Sequence, residues 1–235
     1  MNEFSTSFMV AVNLLLSFDS QLQEIALLSI QVSGLAVVLA SLVGLPLGAS
    51  IALFRFPARG LVVAALNAFM GLPPVVVGLV VYLLLSRAGP LGDAGLLYTP
   101  AAMVIAQSLL VLPIIAALTR QVIADLHGQY DEQLRSFGVS NRGKVFTLLW
   151  EGRFSLVTAV LAGFGRASAE VGAVIIVGGN INHVTRVMTT TIALETSKGN
   201  LALALGLGMV LIALILLVSL IGLSIQRAAQ RVQGV

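Results

Sequence analysis

Long apolar runs alternate with short polar links along this chain, and five of the runs are long enough to cross a bilayer. A hydrocarbon core of about 30 Å needs roughly 20 apolar residues at a helical rise of about 1.5 Å. The runs Ile25 to Phe54, Leu61 to Ser86, Pro100 to Leu118, Phe154 to Gly178 and Leu201 to Ile225 satisfy that length. Each is expected as a membrane-spanning helix. The first is longer than needed, so a tilt is expected there, or a bend near Gly44-Leu45-Pro46, where proline removes a backbone donor. A sixth run, Phe4 to Phe18, is short and lacks the basic segment of a signal peptide, and is expected to lie at the interface or to insert halfway. The fold class is an all-α integral membrane protein with five transmembrane helices, or six if that run also spans, in a single transmembrane domain covering residues 1–235.

Composition excludes several function classes. Hydrophobic residues make up 58% of the chain and charged residues 10%, with a mean hydropathy of +1.02, and the spans leave no room for a separate catalytic domain. The absence of cysteine removes disulfides, thiolate metal sites and cysteine nucleophiles together. His127 and His183 are too few for a histidine metal cage, and no bound metal or cofactor is expected on the chain. A pI of about 9.8 raises the question of nucleic acid, but the 13 basic residues are scattered between hydrophobic spans, which fits membrane topology and not a nucleic-acid interface.

The charges also set a sidedness. Arg55, Arg59, Arg120, Arg135, Arg142, Lys144, Arg153, Arg227 and Arg231 fall on one side of the five spans, against Arg87, Arg186 and Lys198 on the other. The richer side is expected to be cytoplasmic, which puts the N-terminus outside and the C-terminus inside. His127 and His183 then face opposite compartments, so a Ser-His-carboxylate triad is excluded and no enzymatic activity is expected.

The longest polar link, about residues 125–152, contains GVSNRGKV, from Gly138 to Val145. Its glycine spacing and Lys144 resemble a phosphate-binding loop, yet that loop needs a preceding strand, and a Ser or Thr hydroxyl after the lysine for Mg²⁺. Val145 holds the hydroxyl position, and the polar, helix-prone DEQLRSF precedes Gly138. The alternative is a short helix from Asp131 to Phe137 closed by Gly138 in the left-handed conformation, then a second helix capped at Ser140-Asn141. Two such helices form a compact knob presenting Leu134, Phe137, Val139 and Phe146 to a groove on a soluble partner.

With Glu132 and Gly138 six residues apart in that link, the chain resembles the membrane permease subunits of binding-protein-dependent ABC importers of the type I fold. Gln133 and Leu134 stand where the family's motif has two alanines, and Leu149-Trp150-Glu151 replaces its closing Leu-Pro. The resemblance implies that the knob is a cytoplasmic coupling helix docking through Glu132, Leu134, Phe137, Gly138, Val139 and Phe146 into an ATPase subunit, which carries the ATP and Mg²⁺. It also implies two ATPase subunits, an extracytoplasmic oxyanion-binding protein, surrounding membrane lipid, and a bacterial or archaeal inner membrane. SIQVSGLAVVLASLVGLPLG, GLPPVVVGLVVYLLL and GRASAEVGAVIIVGGNI are similar to permeases for tetrahedral oxyanions, and TRVMTTTIALETSKGNLALALGLG is most similar to tungstate permeases. Tungstate ranks first, molybdate second and sulfate third. A second copy of the chain is expected, because five spans enclose little and no internal repeat supplies another half. An ion-gradient carrier is the more distant alternative.

Candidate path residues come from polar or irregular positions within the spans. Pro73 and Pro74 deprive two helical bonds of donors, marking either a gate in the path or a packing kink. Arg166 and Glu170, four apart, are expected to pair on one helix face as a structural or gating pair. Gly178, Gly179, Asn180, Asn182, Thr189, Thr190 and Thr191 form an external polar segment: either neutral donors for an oxyanion or an exposed loop touching the binding protein. Gln107 either reaches the path or bonds a neighbouring helix.

Overall fold

The computed structural model describes residues 20–232 together with Phe8, Met9 and Val12; nearly all of the run from Phe4 to Phe18 lies outside the described residues. Among the described residues the chain is helical and contains no strand. The helices are α1 (Ser20–Leu53), α2 (Arg59–Phe69), α3 (Pro74–Leu85), α4 (Pro100–Ser136), α5 (Asn141–Glu151), α6 (Arg153–Ser168), α7 (Gly172–Gly178), α8 (Met188–Ser197) and α9 (Leu201–Val232). A single turn of 3₁₀ helix, Gly92–Ala94, lies between α3 and α4.

Three of the five expected spans are continuous helices, within α1, α4 and α9. Pro46 sits inside α1 without ending it. The 37 residues of α4 extend about 55 Å at the helical rise, well past a hydrocarbon core of about 30 Å. The apolar run Pro100 to Leu118 already has the length of a span, and the polar remainder continues the same helix. The separate short helix expected from Asp131 to Phe137 does not form, because those residues are the last turns of α4. Nothing between Leu118 and Asp131 breaks a helix: there is no proline, and one glycine, Gly128, costs only about 1 kcal/mol. The i,i+4 contacts of His127 and Arg135 with Asp131 support the continuation.

The other two expected spans are broken. The second run divides at residues 70–73, where Met70, Gly71 and Leu72 donate to carbonyls three residues back and tighten the chain into a turn. Pro73 and Pro74 cannot donate; Pro73 is the extended residue before α3, and Pro74 occupies its first position, where a missing N–H costs nothing. The fourth run divides between α6 and α7. Side chains there replace the lost ladder: the Glu170 carboxylate accepts from the Ala173 N–H at 3.0 Å, and Gln107 donates to the Ala167 carbonyl at 3.0 Å. The latter is the second of the two roles weighed for Gln107.

The chain groups into two compact units. One comprises residues up to Ala36, Pro73–Gln107 and Ala167–Ser219. Its apolar core gathers Ile25, Met188, Leu207 and Val210, and α3 packs so closely on α7 that a Cβ on Gly78 would lie 2.7 Å from the Cα of Ala173. The other comprises Val37–Leu72, Ser108–Arg166 and residues from Leu220 onward. There α1 lies against α4 through Gly44 and Gly48, and a Cβ on Gly48 would meet the Ala116 carbonyl oxygen at 2.3 Å. Small residues spaced by four let two helices approach closely in lipid, where burial of apolar surface gives no drive for association. Arg59 closes this end of α1, donating to the carbonyls of Ile51 and Ala52 at 2.8 and 3.1 Å.

Leu42, Leu61, Leu83, Leu216, Leu217 and Ile225 are all exposed. Such rows of bare leucine fit hydrocarbon and not water.

Candidate coupling knob and candidate path residues

The knob is built from the end of α4, the turn at Gly138, and α5. Gly138 has φ 62 and is the left-handed residue of a Schellman closure: Val139 N–H donates to the Leu134 carbonyl and Gly138 N–H to that of Arg135, each at 3.0 Å. Val139 packs on Leu134 within the same apolar cluster. The Ser140 hydroxyl then accepts from the Gly143 N–H at 3.2 Å, capping α5. At its other end α5 turns by 76° into α6. Gly152 occupies that corner, where a Cβ would lie 2.9 Å from Leu126 Cδ1.

Val145 and Leu148 point inward against Ile123, Leu134, Ala49 and Ala52. Phe137, Phe146 and Trp150 point outward, with 80%, 74% and 69% of their surface exposed. Three large rings left bare on two successive elements form an unsatisfied apolar surface. Beside them runs a groove of about 350 Å³ whose lining includes Tyr130, Gln133, Phe137, Thr147 and Glu151.

Of the expected docking residues, Glu132, Phe137, Gly138 and Phe146 are exposed and Val139 is half-buried. Leu134 differs: it is buried, and supports the knob from within. Trp150 joins the outward face unforeseen. Its ring is covered on one side by the Arg153 guanidinium, 4.7 Å from the ring centroid; Arg153 also lies 4.5 Å from that of Phe154.

Lys144, in the position of a phosphate-loop lysine, is committed to another partner. Its ammonium lies 3.1 Å from Asp131 Oδ1, while Arg135 lies 2.8 Å from Asp131 Oδ2 and His127 3.7 Å from Oδ1. Beyond the spanning part of α4, this cluster holds the Asp131 carboxyl below its ordinary value, chiefly through Lys144 and then Arg135.

The candidate path residues belong to other elements. Pro73 and Pro74 form the start of α3. Arg166 lies in the last turn of α6, which ends at Ser168, so Glu170 follows the end of that helix. The buried Glu170 side chain also serves the start of α7, where the chain needs an acceptor because the helical ladder stops. Gly178 ends α7 and Gly179 follows in the left-handed conformation, φ 72, with Asn180 at φ 50.

Thr189, Thr190 and Thr191 are not in an exposed loop. They are buried in the first turns of α8. Their hydroxyls donate to the carbonyls of Glu170, Val187 and Val187 at 2.8, 2.9 and 2.8 Å, and a hydroxyl has one proton to give. The buried Thr185 hydroxyl, unremarked in the sequence, donates to the Gly178 carbonyl and accepts from the Ile181 N–H. Helix α8 closes as α4 does, with Gly199 at φ 78 and Asn200 N–H on the Glu195 carbonyl at 2.9 Å. Glu195 is further tied to Lys198 at 2.8 Å and Asn200 at 3.1 Å; Lys198 above all holds its carboxyl below the ordinary value.

Apolar helices with bare leucine surfaces, two of the apolar runs broken at short turns, and an exposed apolar knob at the end of a helix longer than a span fit a multi-pass membrane permease. The chain belongs to the family of binding-protein-dependent transport system inner membrane components, which residues 44–232 match. It is similar to the tungstate uptake system permease protein TupB of Peptoclostridium acidaminophilum, 39% identical over 96% of this chain and 99% of that protein. A probable anion ABC transporter permease protein of Haloferax volcanii is 38% identical over 86% of this chain and 89% of its own. The sulfate transport system permease protein CysW of Synechocystis is 28% identical over 86% of this chain and 76% of its own. As a member of this family the chain is an ABC importer permease working with an ATPase and a substrate-binding protein.

Proposed function

We propose that the chain forms the translocation path of an ABC importer for tungstate, as a homodimer docked on two ATPase subunits. The observation that carries the coupling half is the exposed trio Phe137, Phe146 and Trp150 on a rigidly closed knob. The anion assignment is supported by likeness to a tungstate uptake permease along nearly the whole of both chains, with molybdate and sulfate ranking behind it. The knob lies on the cytoplasmic side with the C-terminus, the N-terminus faces outward, and ATP and Mg²⁺ reside on the partner. This chain performs no chemistry; closure of the ATPase pair moves the two permeases between inward and outward openings.

A role for the external turn also follows. Pro73, Pro74, Arg166, Glu170, Gly178, Gly179 and Asn180 remain the candidates for the path or its gate. Thr189, Thr190 and Thr191 keep their place in that group through the turn they brace, since their protons are spent on carbonyls. Backbone amides then remain as neutral donors to a dianion, which must be held weakly enough to leave.

The test is to express the tagged chain with its genomic neighbours, purify it in detergent, and measure ATP hydrolysis with binding protein loaded with tungstate, molybdate or sulfate. The expected result is a co-purifying ATPase stimulated most by the tungstate-loaded protein. Anion movement in liposomes under an ion gradient alone, with no ATPase attached, would overturn the proposal in favour of a secondary carrier.

A further inference from the structure

We infer that the Asp131–Lys144 ion pair is the register lock of the coupling knob, with Asp131 and Lys144 acting as positioning residues that make α5 move as one body with α4. The inference rests on the docking reading of the knob and adds which side chains transmit the motion. Its basis is the geometry of α5, which is only 11 residues long. On its inward face, α5 is held by the apolar contacts of Val145 and Leu148. Apolar packing resists separation, but it is non-directional and allows sliding along the neighbouring helix. A directional contact is needed to fix the register, and a sparingly solvated ion pair is suited to that role.

Lys144 supplies it. Its side chain is 12% exposed and its ammonium meets Asp131 at 3.1 Å, thirteen residues back along the chain and on the other side of the Gly138 turn. Arg135 engages the second carboxylate oxygen at 2.8 Å, which orients the acceptor for Lys144. The far end of α5 is pinned differently, where Gly152 brings its backbone against Leu126 and Val122 of α4. Two fixed points, one ionic and one steric, at the first and last turns of a three-turn helix prevent both sliding and pivoting. A push on Phe146, which lies between them, is then delivered to α4 and to the spans.

Lys144 and Phe146 are two residues apart on α5 and so lie on different faces of that helix, and removing the pair therefore separates capture of the ATPase from transmission. Lys144→Met keeps the apolar stem and loses the charge; Asp131→Asn keeps the shape and loses the carboxylate; Lys144→Arg keeps the cation. In the purified complex, both Lys144→Met and Asp131→Asn are expected to retain the ATPase. Their anion uptake per ATP hydrolysed should fall on the order of tenfold, the scale on which a residue between two sites shifts their coupling, with Lys144→Arg remaining within about twofold of the wild type. In the chain alone, amide hydrogen exchange across residues 145–150 should accelerate in Lys144→Met and not in Lys144→Arg.

Unchanged uptake per ATP and unchanged exchange in Lys144→Met would overturn the lock. So would loss of the bound ATPase in that variant, because it would make the pair part of the docking surface. If the wild-type chain captures no ATPase, the docking reading fails by itself, and the exchange measurement alone then decides whether the pair fixes α5.

Discussion

Gly138 is the residue on which the knob turns, and its requirement is for backbone freedom and not for space. At φ 62 it has no heavy atom within 4 Å of the position a Cβ would take. A substitution there meets no clash, only the left-handed conformation, which costs non-glycine residues roughly 1–2 kcal/mol and β-branched residues most. Gly138→Val is therefore expected to loosen the closure and to lower ATP-driven uptake, whereas Gly138→Asn should stay close to wild type; uptake in vesicles distinguishes them. Equal activity of both variants would remove the conformational role. Asp131 gives a second prediction at this scale. Its carboxyl is held below the ordinary 3.8, so its contribution is complete above that value and is lost as pH falls through the lowered one. Trp150 is the sole tryptophan, so its fluorescence reports on α5. A transition below about pH 4, absent in Asp131→Asn, is the expected record.

Among the elements, α1 and α4 approach closely, with Gly48 against the Ala116 carbonyl and Thr119. Gly48→Leu is expected to force these helices apart and to cost more than the about 1–3 kcal/mol typical of overpacking, because backbone cannot yield as a side chain can. Loss of the folded chain during detergent thermal unfolding would record it; an unchanged midpoint would contradict the packing. Helix existence was legible in the sequence wherever an apolar run was uninterrupted, as in α1, α4 and α9. The breaks were less legible. Pro73 and Pro74 announce the first, but the second, between α6 and α7, depends on Gln107 and Glu170 supplying partners from side chains, a tertiary arrangement with no local signal. The same limit explains the threonines: TTT reads as exposed and polar, and only the contacts with Glu170 and Val187 reveal it as buried. The continuation of α4 to Ser136 was hidden for the opposite reason, since a polar stretch beyond a membrane span does not by itself tell a loop from a projecting helix.

For the whole molecule, the proposed function makes transport a matter of movement between partners. The helices expose leucine where lipid must lie, and outside the apolar layer the bare rings of Phe137, Phe146 and Trp150 ask for a protein. An expected consequence is that α9 variants such as Leu216→Ser, on a lipid-exposed face, lower membrane insertion without altering uptake per inserted molecule; quantitative blotting beside uptake checks this. The central claim is that the knob seats in an ATPase, and the absence of native cysteine makes it directly testable. A single cysteine at Phe146, Phe146→Cys, should cross-link to the co-expressed ATPase with a short bifunctional reagent, and a cysteine at exposed Leu83 should not. An active complex whose Phe146→Cys variant yields no cross-link, or no more than the Leu83 control, would contradict the account.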